Sequence, residues 1–113
     1  MLFAPHHQLD NLTLIIDYNK IQALGHTNEV LNLEPLVDKL RAFNWQTREI
    51  DGHNFDEIKS ALTATPFKID SPSCIIAHTV KGKGVSFMEN KLEWHYKTPN
   101  QKEFEQAVEE VQN

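Results

Sequence analysis

Few residues in this 113-residue sequence are of a type and spacing that could do chemistry. In His78-Thr79-Val80-Lys81-Gly82-Lys83-Gly84, glycines separate two lysines, so that ammonium groups and backbone N–H groups could approach one anion together. The same bare pattern also describes a solvated turn. Asn19 follows an apolar run and offers an amide oxygen of the kind magnesium accepts beside phosphate, although asparagine at such a place also simply forms turns. His53, His78 and His95 are the imidazoles a zinc site would have to gather, but no pair of them has the short spacing of a zinc motif. His6 and His7 read as a helix end or a frayed terminus. Cys74 lies inside an apolar run, where a thiol is expected to be buried and inert. Trp45 and Phe87 read as core or interface, and Met88 as filler.

These residues need elements to position them. Leu12–Ile16, Thr47–Ile50 and Cys74–Ala77 read as strands. The first and third are nearly continuous in apolar character, as expected of central parallel strands covered on both faces, whereas the second is mixed and should flank the sheet. Leu33, Leu36, Val37, Leu40 and Phe43 recur at helical spacing behind a candidate N-cap, Asn32. Phe55, Ile58, Ala61 and Leu62 do the same behind Asn54, with Glu57 completing a capping-box pattern. A last helix should start near Asn100, with Glu103 three residues on and Phe104, Ala107, Val108 and Val111 as its stripe. The order β-α-β-α-β-loop-α predicts an α/β fold, an open parallel sheet with flanking helices. Ligands of such sheets bind beyond the carboxyl ends of the strands. That is where Asp17–Gln22, Asp51–His53 and His78–Gly84 emerge. The stretches 18–31 and 80–99 are the long irregular segments, and loops of that length are usually functional.

Composition narrows the classes. Hydrophobic residues make up 40% and charged residues 24%, which is one domain's worth of sequence, and residues 1–113 are expected to be a single domain. Eleven Lys and Arg against sixteen Asp and Glu leave a net charge of −5, which argues against nucleic acid or an anionic membrane as partner. No apolar run approaches the roughly 20 residues of a spanning helix, and Met1–Pro5 does not read as a signal peptide. A single cysteine excludes an internal disulfide, so a cytoplasmic setting is expected.

Taken together, the segments resemble a known family. Leu9-Asp10-Asn11-Leu12 running into Ile16-Asp17-Tyr18-Asn19-Lys20-Ile21-Gln22 is similar to the second half of the thiamine-diphosphate motif of transketolases. Asn32–Leu36, Phe43-Asn44-Trp45, Ile50–His53, His78–Asn90, Glu93-Trp94-His95 and Pro99-Asn100 follow in family order, so the resemblance covers essentially the whole chain. It looks closest to the N-terminal, diphosphate-binding section of the split, two-subunit transketolases. The Phe87–Asn90 and Trp94-His95 stretches favour transketolase over the related deoxyxylulose-phosphate synthases.

The resemblance implies a portion of a thiamine-diphosphate- and magnesium-dependent transferase that moves a two-carbon ketol unit between sugar phosphates. It implies that Asn19 gives a side-chain oxygen and Ile21 a main-chain oxygen to the metal. It further implies that Lys81 lines the pocket, that Gly25 lies beside the cofactor, and that His95 sits near the diphosphate and the reacting end of the substrate as the catalytic residue. The family's Gly-Asp-Gly metal motif does not precede Asn19, and the pyrimidine-binding domain is not in this sequence. The expectation is therefore a chain truncated at its N-terminus, with an incomplete site, inactive in isolation and completed by a pyrimidine-domain subunit or a complementary transketolase segment. A homo- or hetero-oligomer is expected, because a missing strand leaves a sheet edge uncovered. The alternative from another class is a non-catalytic remnant acting as a binding or interaction module.

Overall fold

A computed structural model describes residues 1–112, which form two compact units: 1–18 with 33–79, and 19–32 with 80–112.

The first unit is built on three parallel strands, β1 (Thr13–Tyr18), β4 (Gln46–Asp51) and β5 (Ser73–His78), in the order β1-β5-β4. Ile75 of β5 stands between Ile15 of β1 and Arg48 of β4, and His78 lies level with Tyr18 and Asp51, so all three strands end together. The branched run Cys74-Ile75-Ile76 fits a pleated strand buried on both faces, and β5 is accordingly central and buried from Ser73 to Ala77. On one face Cys74 and Ile76 pack with Tyr18, Leu40, Trp45 and Ala4, bringing in α1 (Phe3–His6) and α3 (Leu36–Ala42). On the other, Ile75 and Ala77 pack with Ile50 and with Ala61 of α4 (Phe55–Thr63). Cys74 is fully buried, and desolvation pushes its thiol up to about 11, an inert core group. Trp45 is core, its indole N–H donating to the Met1 carbonyl at 3.0 Å. His6 closes the last turn of α1.

The second unit holds a two-stranded antiparallel hairpin, β2 (Ile21–Gln22) and β3 (Gly25–His26), and one helical turn, α2 (Thr27–Val30). A closed loop over 80–91, a 3₁₀ turn (Leu92–His95) and α5 (Gln101–Gln112) complete it. Asn100 and Glu103 cap α5 reciprocally: Asn100 Oδ1 accepts from Glu103 N at 3.0 Å, and Glu103 Oε2 from Asn100 N at 2.8 Å. Glu110, on the last turns of α5, accepts from the Ser86 hydroxyl at 2.8 Å and so ties the helix to the loop.

Several expectations need correction. The strand at 13–18 is an edge of this sheet: Ile15 is 57% exposed and Asp17 is exposed, because α4 covers β5 and β4 but not β1. The helix foreseen from Asn32 starts at Leu36, where Glu34 Oε2 accepts from Leu36 N at 3.0 Å. Pro35 itself is extended, with φ −77° and ψ 107°, so the helix begins only after it. The 18–31 segment is not irregular, since it contains the hairpin and a helical turn, elements too short to leave a periodic signal. Along α5, Phe104 and Val111 stay more than half exposed, so its stripe buries little.

Asn54 does cap α4, with its Oδ1 accepting from Asp56 N at 3.0 Å and Glu57 N at 3.2 Å, while Glu57 reaches back to Asp51 N at 2.9 Å. Asn54→Ala should cost about 0.5–2 kcal/mol in denaturant unfolding, and an unchanged midpoint would remove the cap from the account.

Candidate cofactor and proton-transfer site

The second unit carries all five residues singled out for the site, Asn19, Ile21, Gly25, Lys81 and His95. Three of them share the hairpin. Asn19 precedes it in an Asx turn, its Oδ1 accepting from Ile21 N at 2.9 Å. That bond holds the amide oxygen on the N–H of Ile21, the residue whose own carbonyl is the other candidate donor, and leaves the oxygen a second lone pair. Lys20 adopts a left-handed φ of 64°, and its carbonyl accepts from Thr27 N at 2.9 Å, closing the turn. Gly25 is buried with φ 151°, and a Cβ there would stand 3.2 Å from Val30 Cγ2. One amide oxygen and one peptide oxygen are hard, neutral donors of the kind Mg²⁺ takes. Among the described residues no three His, Cys, Asp or Glu side chains gather to hold a metal ion. A cation on this hairpin would therefore need oxygen ligands from a phosphate, from water or from outside these residues.

His95 ends the 3₁₀ turn, exposed, its ring edge-on to Tyr96 with centroids 4.8 Å apart. The turn is held from two sides. The Trp94 indole N–H donates to the Phe87 carbonyl at 2.9 Å, with the two rings 5.2 Å apart and the Lys97 ammonium 4.2 Å from the Trp94 ring centroid. The Tyr96 hydroxyl donates to the Ala23 carbonyl at 3.3 Å, at the tip of the hairpin, and the turn packs against β2. Asn19, Ile21 and Gly25 are thus brought together on one hairpin, with the His95 turn tied to it. Lys97 Nζ lies 2.6 Å from Glu103 Oε1, and this bond, followed by that from Asn100 N, lowers the Glu103 carboxyl below its ordinary range.

Lys81 stands in its own loop. Its carbonyl accepts from Asn90 N at 2.9 Å, its side chain is half-buried, and among the described residues its ammonium has no carboxylate partner. The glycine-spaced lysines do not present an open backbone cradle. Lys83 N donates to Val80 O at 3.2 Å, Val85 N to Gly82 O at 3.1 Å, and Gly84 N to Glu89 Oε1 at 3.1 Å. The loop satisfies those N–H groups itself, because its glycines let it fold tightly enough to do so.

At the strand ends of the first unit, His78 Nε2 lies 2.6 Å from Glu49 Oε2, and the Thr79 hydroxyl donates to the Asp17 carboxylate. Gly52 N donates to His78 O at 2.8 Å, and a Cβ on Gly52 would meet Thr79 Cγ2 at 2.5 Å. Those groups are engaged with one another.

The family model described as transketolase, thiamine diphosphate binding domain, matches residues 1–111. The chain belongs to the transketolase family. A 6-deoxy-6-sulfo-D-fructose transketolase subunit of Clostridium sp. (strain MSTE9) is 45% identical over 111 residues, covering 98% of this chain and 40% of that protein. An apulose-4-phosphate transketolase subunit of Phocaeicola vulgatus is 40% identical over 105 residues, 93% of this chain and 37% of the relative. The crystal structure of transketolase from Campylobacter jejuni superposes with a TM-score of 0.87 at 30% identity, over 96% of this chain and 17% of that one. The chain thus spans about two-fifths of the length of the split-subunit relatives it matches, and within that span it has the transketolase α/β fold.

Tyr96 and Glu89 hold their loops in place with no local signal in the sequence that they do so. Nothing in the spacing of Tyr96 points to Ala23, which is 73 residues away.

Proposed function

We propose that this chain supplies the diphosphate side of a thiamine-diphosphate- and Mg²⁺-dependent transketolase, as part of one diphosphate-binding domain that works with a second, pyrimidine-domain chain. The observation that carries the reading is the hairpin. Its Asx turn sets the Asn19 amide oxygen beside the Ile21 peptide at 2.9 Å, and the Tyr96 hydroxyl ties the His95 turn to the same hairpin. The subunit naming of the split relatives, which this chain matches over nearly its whole length, supports the partner.

In this reading Asn19 Oδ1 and the Ile21 carbonyl would help hold the metal, and Gly25 would leave room beside the cofactor. Lys81 meets the diphosphate charge that the metal does not neutralise. Thiamine diphosphate, when bound, supplies the carbon nucleophile and the electron sink for carbon–carbon bond cleavage. His95 exchanges the proton of a sugar hydroxyl at the reacting end, a task suited to an imidazole. The relatives named for 6-deoxy-6-sulfo-D-fructose and apulose-4-phosphate support a sugar carrying an anionic terminus as the substrate. The lone buried thiol suits a cytoplasmic setting.

Calorimetry with thiamine diphosphate and Mg²⁺, on the chain alone and mixed with a pyrimidine-domain transketolase subunit and a complementary segment carrying the Gly-Asp-Gly motif, tests this. Metal-dependent binding in either sample is the expected result; none in both overturns the reading. Asn19→Ala should weaken the metal-dependent affinity about tenfold or more, on the order of the loss of one ligand-shell group. Equal affinity would remove Asn19 from the metal.

A further inference from the structure

The loop that carries Lys81 contains a carboxylate placed where an anion would bind. Glu89 Oε1 accepts from Gly84 N at 3.1 Å and lies 3.8 Å from Lys83 Nζ. A backbone N–H and an ammonium group converging on one carboxylate oxygen are the donors that a phosphate oxygen would recruit from a glycine-spaced lysine pair. We propose that Glu89 is a built-in competitor that fills the Lys83–Gly84 end of the loop, leaving Lys81 as the only lysine of the pair offered to a diphosphate and so determining how much anion the loop accepts. The inference deepens the proposed function and rests on it for the identity of the anion.

The loop's construction keeps Glu89 in place. Met88 packs so closely on Gly82 that a Cβ there would meet the Met88 carbonyl oxygen at 2.7 Å, and Met88 N donates to Val85 O at 2.9 Å. Glu89 N donates to Val85 O at 3.1 Å, and Asn90 N to Lys81 O at 2.9 Å. The backbone on both sides of Glu89 is therefore tied to the two ends of the lysine segment, and its side chain falls on Gly84 without a long reach. The consequence is an asymmetry that the repeated Lys-Gly pattern hides. Lys83 has a carboxylate partner, whereas among the described residues Lys81 has none. Without Glu89 the loop would offer two cations and a free N–H, and would hold any small phosphate. With Glu89 present, an anion must engage Lys81 and draw the rest of its affinity from elsewhere, as a cofactor anchored at the hairpin does.

The test uses inorganic pyrophosphate as the probe, titrated into the full chain and followed by calorimetry and by the amide resonances of Lys81 to Val85. Glu89→Gln keeps an oxygen that can accept from Gly84 N while removing the charge. It should bind pyrophosphate about two- to fivefold more tightly than the parent chain, the range expected for releasing one partly exposed ion pair. Glu89→Ala also frees the N–H, should gain at least as much, and should show the Gly84 resonance moving with pyrophosphate. Adding Lys83→Ala to Glu89→Gln should abolish the gain, and a gain that persists there overturns the proposal. Equal or weaker binding in both Glu89 variants overturns the proposal, as does a Gly84 resonance that already moves on the parent chain's own binding isotherm. Lys81→Ala separates the two claims. Undiminished pyrophosphate binding by that variant would count against Lys81 as the diphosphate group, while a gain on replacing Glu89 would still stand.

Discussion

Gly82→Ala is expected to lower stability by about 2–4 kcal/mol, combining a strained backbone with overpacking. Gly82 has φ +73°, a region that side-chain-bearing residues enter at a cost. A methyl group there would lie 2.7 Å from the Met88 carbonyl oxygen and 2.8 Å from both its carbonyl carbon and its Cβ. Two of those three atoms are backbone, so the neighbour cannot swing aside as a flexible side-chain tip could. Relief requires moving the segment whose Asn90 N–H holds Lys81 O and whose Glu89 holds Gly84 N. The loss should appear as a lower denaturation midpoint, with faster hydrogen exchange at Gly84 and Asn90 than elsewhere in the chain. A midpoint within error of the parent would show that the loop has room that its geometry denies. Lys83→Ala in the same loop, exposed and held by one ion pair, is the control and should change little.

His95→Ala, in a complex reconstituted with a pyrimidine-domain subunit and a complementary Gly-Asp-Gly segment, should lower kcat about 10²- to 10⁴-fold, the usual size of a lost acid–base group. His95 is exposed, and its ring touches Tyr96, while Trp94 and Tyr96 carry the bonds that hold the turn. The unfolding midpoint should accordingly stay within a few tenths of a kcal/mol of the parent, as for other surface substitutions. Turnover unchanged, with the complex formed and cofactor bound, would withdraw His95 from proton transfer. Tyr96→Phe is the informative companion. It deletes only the hydroxyl that reaches Ala23 O at 3.3 Å and, if the tie positions His95, should reduce kcat by a smaller factor than His95→Ala.

The fold was legible where periodic signals are long. The Cys74–Ala77 run announced a buried strand, and Asn54 and Asn100 announced helix starts, because apolar continuity and capping chemistry are properties of neighbouring residues. The hairpin at 21–26 was not legible, because two-residue strands show no alternation to detect. The edge position of β1 was not legible either. Apolar character says that a strand is half or fully buried, but the covering comes from α4, which reaches β5 and β4 and leaves Ile15 bare.

The site divides in the same way. Residue order alone carried the family resemblance, and with it Asn19, Ile21, Gly25, Lys81 and His95 as the residues to watch. Residue type also determined what each could do, since oxygen donors, ammonium and imidazole keep their chemistry wherever the chain puts them. Only the tertiary structure decided which groups are already engaged. It put the Tyr96 hydroxyl on Ala23 O across 73 residues, and it gave Lys83 to Glu89 while leaving Lys81 without a carboxylate partner among the described residues. The reason is range. Capping and patterning act over a few residues along the chain, whereas the partner of a side chain is set by whichever loop folds back to meet it.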